Sequence, residues 1–139
     1  MPTLPGNNFK YLLMQGDIDF GSDAFSIILM RQGFVFNRAT HDDYADVSPD
    51  ELATGSGYTA GGQPLAGGVL TRNDPSNLTT MAWNNASWLA AGGDIVTQGA
   101  IIVDTTLAGS PVVGYIDFGE TLTTFDTGTF TITGITVEL

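Results

Sequence analysis

The chain of 139 residues has no cysteine, a single histidine and only four basic residues. Without cysteine there are no disulfides, no thiol catalysis and no thiolate metal sites. Any histidine-based triad would depend on His41 alone. Lys10, Arg31, Arg38 and Arg72 face fifteen acidic residues, for a net charge of −11. Phosphate backbones and anionic lipid repel such a chain, so neither nucleic acid nor a membrane surface is expected as a partner. Charged residues make up 14% of the total, against about a quarter in ordinary soluble domains. Thr, Ser, Asn and Gly must solvate the rest of the surface, or partners must cover it. The balance favours partners.

Long apolar runs are missing too. "MPTLPGNNFKYLLMQG" carries one lysine and a brief apolar cluster broken by Gly16. It does not read as a signal peptide, and no run approaches transmembrane length. A protein made in a cytoplasm, and released from one by lysis if at all, is expected.

The length suits one domain over residues 1–139, with residues 1–16 as a short N-terminal helix or arm. "NNFKYLLMQG" reads as a helix capped by Asn8 and ended by Gly16, or as a strand, with Lys, Leu and Met favouring helix. "AFSIILMR" reads as a strand buried on one face and partly covered on the other. Further strands are predicted near Tyr58–Ala60, Pro64–Arg72, Leu78–Trp83, Ser87–Ala91, Ile95–Thr105, Pro111–Phe118 and Thr129–Leu139, separated by turn clusters such as "RNDPSN", "AGGD" and "FDTG". That rhythm predicts an all-β fold, an antiparallel β-sandwich of jelly-roll type. In the last strand the apolar residues change parity at Gly134, from Phe130 and Ile132 to Ile135, Val137 and Leu139. A bulge there would keep all five on one face; otherwise both faces are covered and the C-terminal end becomes an intersubunit surface.

Several motifs suggest chemistry and fall short of it. "FDTG" (125–128) matches half of an aspartic-protease pair, but one copy supplies one carboxylate where two are needed. It reads better as a turn, with Asp126 bonding its own backbone and glycine supplying positive φ. "THDDYAD" gathers His41, Asp42, Asp43 and Asp46 at a spacing that fits neither an EF-hand nor a zincin. A solvated acidic loop is expected there, with weak calcium binding as the alternative. Ser48-Pro49-Asp50-Glu51 has the pattern of a capping box at a helical turn. The glycines of "GSGYTAGGQPL" (55–65) lack the Lys-Ser/Thr and following helix of a phosphate loop, so they read as bends around Tyr58. Asn77-Leu-Thr79 and Asn85-Ala-Ser87 match glycosylation sequons, without a secretory signal to give them meaning. Trp83 and Trp88 read as core or subunit anchors. No cofactor, metal or catalytic residue is expected, and the chain does not read as an enzyme.

"GDIDFGSDAFSIILM", "THDDYADVSPDELATGSGYTAGGQPL", "ASWLAAGGDIVTQGAIIVDTT" and "VVGYIDFGETLTTFDTGTFTIT", in this order, resemble a group of small tailed-phage virion proteins. The group includes capsid decoration (cement) proteins and tail-associated proteins. The resemblance implies a β-rich subunit on the capsid surface, bound to the major capsid protein, with no catalytic residues. A homotrimer suits the three-fold positions of such a shell, with Trp83, Trp88, Ile135, Val137 and Leu139 as candidate subunit or capsid contacts. The alternatives are a tail or baseplate component, and a calcium-dependent carbohydrate-binding module using Asp42, Asp43, Asp46 and the tryptophans.

Overall fold

The computed structural model describes residues 2–139. After the short strand β1 (Leu4–Pro5) comes helix α1 (Asn7–Gln15), which ends at Gly16 as expected. Its N-cap is Gly6, not Asn8, so no side chain caps it. The helix is held instead by Phe9, which is fully buried. β2 (Phe25–Met30) follows, then a long excursion containing α2 (Tyr44–Val47) and a 3-10 turn at Ser48–Asp50. The remaining strands are β3 (Gln63–Pro64), β4 (Val69–Asn73), β5 (Leu78–Ala82), β6 (Ala86–Leu89), β7 (Ile95–Asp104), β8 (Val112–Thr124), β9 (Thr129–Ile132) and β10 (Thr136–Glu138).

These strands form antiparallel sheets in the orders β1-β8-β7-β2-β3, β10-β5-β4 and β6-β9. The fold is all-β and sandwich-like, as the turn rhythm predicts. The division into five, three and two strands differs from the two-sheet, eight-strand plan of a jelly roll. Three expected strands break up, one of them Thr129–Leu139, which divides into β9 and β10. Tyr58 makes only an isolated bridge with Gly55, and the Pro64–Arg72 stretch divides into β3 and β4 because Gly67 and Gly68 interrupt it.

The centre of the five-stranded sheet is buried on both faces, which explains the nearly continuous apolar runs of β2 and β7. Phe25, Ile27, Leu29, Ala100, Ile102, Val113 and Ile116 face the smaller sheets, where Met81, Trp83, Trp88, Phe130, Ile132, Ile135 and Val137 meet them. On the opposite face Ile28, Met30, Ile101, Val103, Val112 and Tyr115 pack under Phe34, Val47, Phe36 and Tyr44 from the excursion.

The excursion is tied down by Glu51. Its capping-box reading is overturned: the box lies one turn earlier, between Asp43 and Asp46 at the start of α2. Glu51 is only 8% exposed and its carboxylate accepts from the Tyr44 hydroxyl at 2.8 Å, the Tyr58 hydroxyl at 3.2 Å and the Gly61 N–H at 2.7 Å. Glycines make that approach feasible. A Cβ at Gly62 would run into the Ile27 carbonyl oxygen, one at Gly57 would strike that of Leu89, and both residues have positive φ. The glycine-rich stretch is therefore a packed strap around Tyr58.

Gly134 (φ 61°) turns the chain from β9, paired with β6, to β10, paired with β5. The kink keeps Phe130, Ile132, Ile135 and Val137 in one core. The change of parity is resolved inside the chain rather than at an intersubunit surface.

Candidate contact surface

Every residue from Ala66 to Thr79 is exposed, although much of this stretch is hydrogen-bonded strand. β4 and β5 form a hairpin, with Leu70 opposite Met81 and Asn73 opposite Leu78. Its tip is closed by the Asn77 N–H to the Asp74 carbonyl at 3.2 Å, and Asn77 takes a left-handed φ of 55°. β5 is shielded on its other side by β10, extended by reciprocal backbone bonds between Thr79 and Leu139 at 2.9 and 3.0 Å. β4 is the edge of its sheet, and Val69 and Leu70 are 59% and 58% exposed. An exposed apolar edge of this kind offers backbone donors and acceptors for pairing with another chain.

Beside β4 lies an apolar groove of about 200 Å³, lined by Leu13, Phe20, Leu70, Met81, Val137 and Leu139. α1 supplies one wall, β4 and β10 supply another, and Phe20 reaches in from the loop after α1. The electrostatics single out the same region. From residue 52 to residue 93 the only charged side chains are Arg72 and Asp74, which pair with each other at 2.9 Å. The arm is neutral in a chain whose net charge is −11.

Three of the five candidate contact residues lie elsewhere, and Val137 lines the groove with only 2% of its surface exposed. Trp83, Trp88, Ile135 and Val137 are buried in the chain's own core, because the turn at Gly134 and the close approach of β6 and β9 draw them inward. Trp83 packs on Phe20 and Phe25 with centroids 6.1 and 5.4 Å away, and Trp88 leans on Tyr58 and Phe130. Of the five, Leu139 has surface to offer, at 47% exposure. The sequence reading missed Leu70 and Leu13. The signal that could have found this region is its gap in charge.

The acidic loop is occupied with its own backbone. The Asp46 carboxylate accepts from the N–H groups of Asp42 and Asp43, both at 3.0 Å, and these bonds hold its pKa below the usual carboxylate value. Burial, then the charges of Asp46 and Asp42, push Asp43 upward. His41 stacks on Phe34 and accepts from the Asn37 N–H through Nδ1. Among the described residues no three His, Asp or Glu side chains converge to hold a metal ion. With both tryptophans inside, no tryptophan platform for sugars exists. "FDTG" is a turn closed by the Gly128 N–H to the Phe125 carbonyl at 2.8 Å. Positive φ falls on Thr127 rather than glycine, and Asp126 accepts from the Gly92 N–H instead of its own backbone.

Set against known proteins, the chain matches no family model, no curated protein and no solved structure.

Proposed function

We propose that the chain is a structural subunit of a tailed-phage virion, a capsid decoration protein that binds the major capsid protein and stabilises the head. The observation that carries this reading is the β4–β5 arm: a neutral hairpin, exposed from Ala66 to Thr79, with an open edge and an apolar groove at its side. The edge strand β4 is exposed at every residue and leaves its outer backbone donors and acceptors open. A partner strand added to the edge, with its side chains in the groove, completes such an element. The class of partner is taken from the resemblance of the motif order to small phage virion proteins. The subunit is made in the host cytoplasm and sits on the capsid surface as a homotrimer, at positions where capsid subunits meet in threes. The arm and Leu139 make the contacts, replacing the buried tryptophans and Ile135 and Val137.

The test uses shells purified without the protein. Wild-type protein should co-sediment with them, and Leu70→Asp should not, while keeping its melting temperature. Light scattering should give three times the monomer mass. A wild-type monomer that leaves shells unbound, or one that binds purified tails instead, overturns the decoration role.

A further inference from the structure

The Asp104 side chain is fully buried at the end of β7. Its Oδ1 accepts from the Thr106 N–H at 2.9 Å, while Oδ2 has no donor. The sheet register sets Phe25 opposite Asp104 and ties Ala24 to Thr105 and Thr106, which brings the neighbouring Asp23 carboxyl group close enough to act on Asp104. Two carboxylates have no proton to offer each other, so an orphaned buried oxygen facing a second carboxyl group is satisfied when one of them is protonated.

The surroundings hold the two groups together. Thr105 N–H and Oγ1 both donate to the Ala24 carbonyl, and the Ala24 N–H donates to Thr106 Oγ1 at 2.8 Å. Phe25 is paired with Asp104 in the sheet. Asp23 in turn closes its own loop, accepting from the Asp19 N–H at 3.1 Å and donating its N–H to the Asp19 carbonyl at 2.8 Å. Phe20 lies inside that closed loop and reaches the groove beside β4.

We infer that Asp23 and Asp104 share one proton and act as a pH-sensitive clasp on the loop that carries Phe20 into the docking groove. The link to docking rests on the proposed function; the shared proton does not.

The charges around the clasp agree. Asp17 and Asp19 stand on the loop of Asp23, and the segment after Asp104 carries no ionisable side chain up to Pro111. His41, Asp42, Asp43 and Asp46 belong to the element that meets this hairpin, through the Val112 N–H to the Asp42 carbonyl and the Tyr44 N–H to the Ser110 carbonyl. Among the described residues no base compensates: Arg31 pairs with Asp50, Arg72 with Asp74, Arg38 donates to the Pro5 carbonyl, and Lys10 is exposed on α1. Burial first, and Asp23 second, push the Asp104 carboxyl from 3.8 up to about 7. A carboxyl group raised in the folded state stabilises it fully below the unfolded value, and that contribution is lost as pH rises through the folded value. The clasp is thus closed in mild acid and opens near neutrality, when two charges confront each other.

Thermal melts from about pH 5 to about pH 8, with infrared spectra of the carboxyl stretch, test the clasp directly. Wild-type protein should lose several degrees of Tm and a protonated-carboxyl band across this range. Asp104→Asn, whose amide is a permanent donor, should flatten the profile, and Asp23→Asn should do the same if the first variant fails to fold. In a Trp88→Phe background, the fluorescence of Trp83, which touches Phe20, should change with the band. Parallel melting profiles and no lost band overturn the shared proton. So does calcium at millimolar concentration, if it raises the wild-type Tm at alkaline pH and leaves Asp104→Asn unmoved. A titrating band with constant Trp83 fluorescence overturns the coupling to Phe20. Shell binding enters none of these readouts, so a failed docking proposal is told apart from a failed clasp.

Discussion

The hydroxyl of Tyr58 donates to the Glu51 carboxylate at 3.2 Å. It also accepts the Leu29 N–H at 3.0 Å, so one phenol joins the glycine strap to the middle of β2. Tyr58→Phe leaves the buried Leu29 N–H without its acceptor. The expected cost is about 1–3 kcal/mol, read from urea unfolding, with the native spectrum retained. Glu51→Ala should cost more, since it strands two hydroxyls and the Gly61 N–H together.

Tyr44 gives the strap an alkaline limit. Burial, and then the bond to Glu51, push its phenol up to about 12 from 10.0. Its contribution is fully present below pH 10.0 and is lost as pH rises towards about 12. Stability should therefore fall over this window, and Tyr44→Phe should remove that part of the slope. Ultraviolet titration of phenolate absorbance, run beside the melts, locates the ionisation.

Backbone crowding yields a third expectation. Gly62→Ala should destabilise by more than about 1 kcal/mol, because the added carbon meets the Ile27 carbonyl at a positive φ. Gly61→Ala has open space around its Cβ and should lose less. Equal losses at the two positions would show that φ, rather than contact, dominates.

Removal of residues 135–139 should unfold the protein rather than release a monomer. Ile135 and Val137 are 0% and 2% exposed, and each buried side chain of this kind stabilises by about 1.5–3 kcal/mol. Leu139→Ala should leave Tm nearly unchanged. Circular dichroism on the two variants separates the cases.

The central strands of the major sheet were legible because they carry their own signals, whereas β1 lay in the expected arm and β8 runs on to Thr124, past the expected end at Phe118. β2, β7 and the first half of β8 are apolar and bounded by turn residues, while the polar second half of β8 is held as strand by its pairing with β7. Glu51 was misread for a physical reason. Ser48-Pro49-Asp50-Glu51 satisfies the local capping pattern, yet two phenols and a glycine N–H, brought in by the strap, offered its carboxylate more than the local turn did. Leu70 shows the opposite failure: an apolar strand residue implies burial, and exposure depends on which neighbours the fold withholds. The placement of Phe25 opposite Asp104, on which the proposed clasp depends, is a matter of strand register across the sheet, which periodicity does not encode.

The neutrality of the arm has a consequence in solution. Every copy carries −11, so the proposed trimers keep one another at a distance even though every copy has an edge able to pair. That protection is ionic and short-ranged, reaching about 10 Å at 0.1 M salt and about 3 Å at 1 M. A concentrated stock should stay dispersed in dilute buffer and turn turbid as salt is added, which makes ionic strength the switch between a storable subunit and a sticky one.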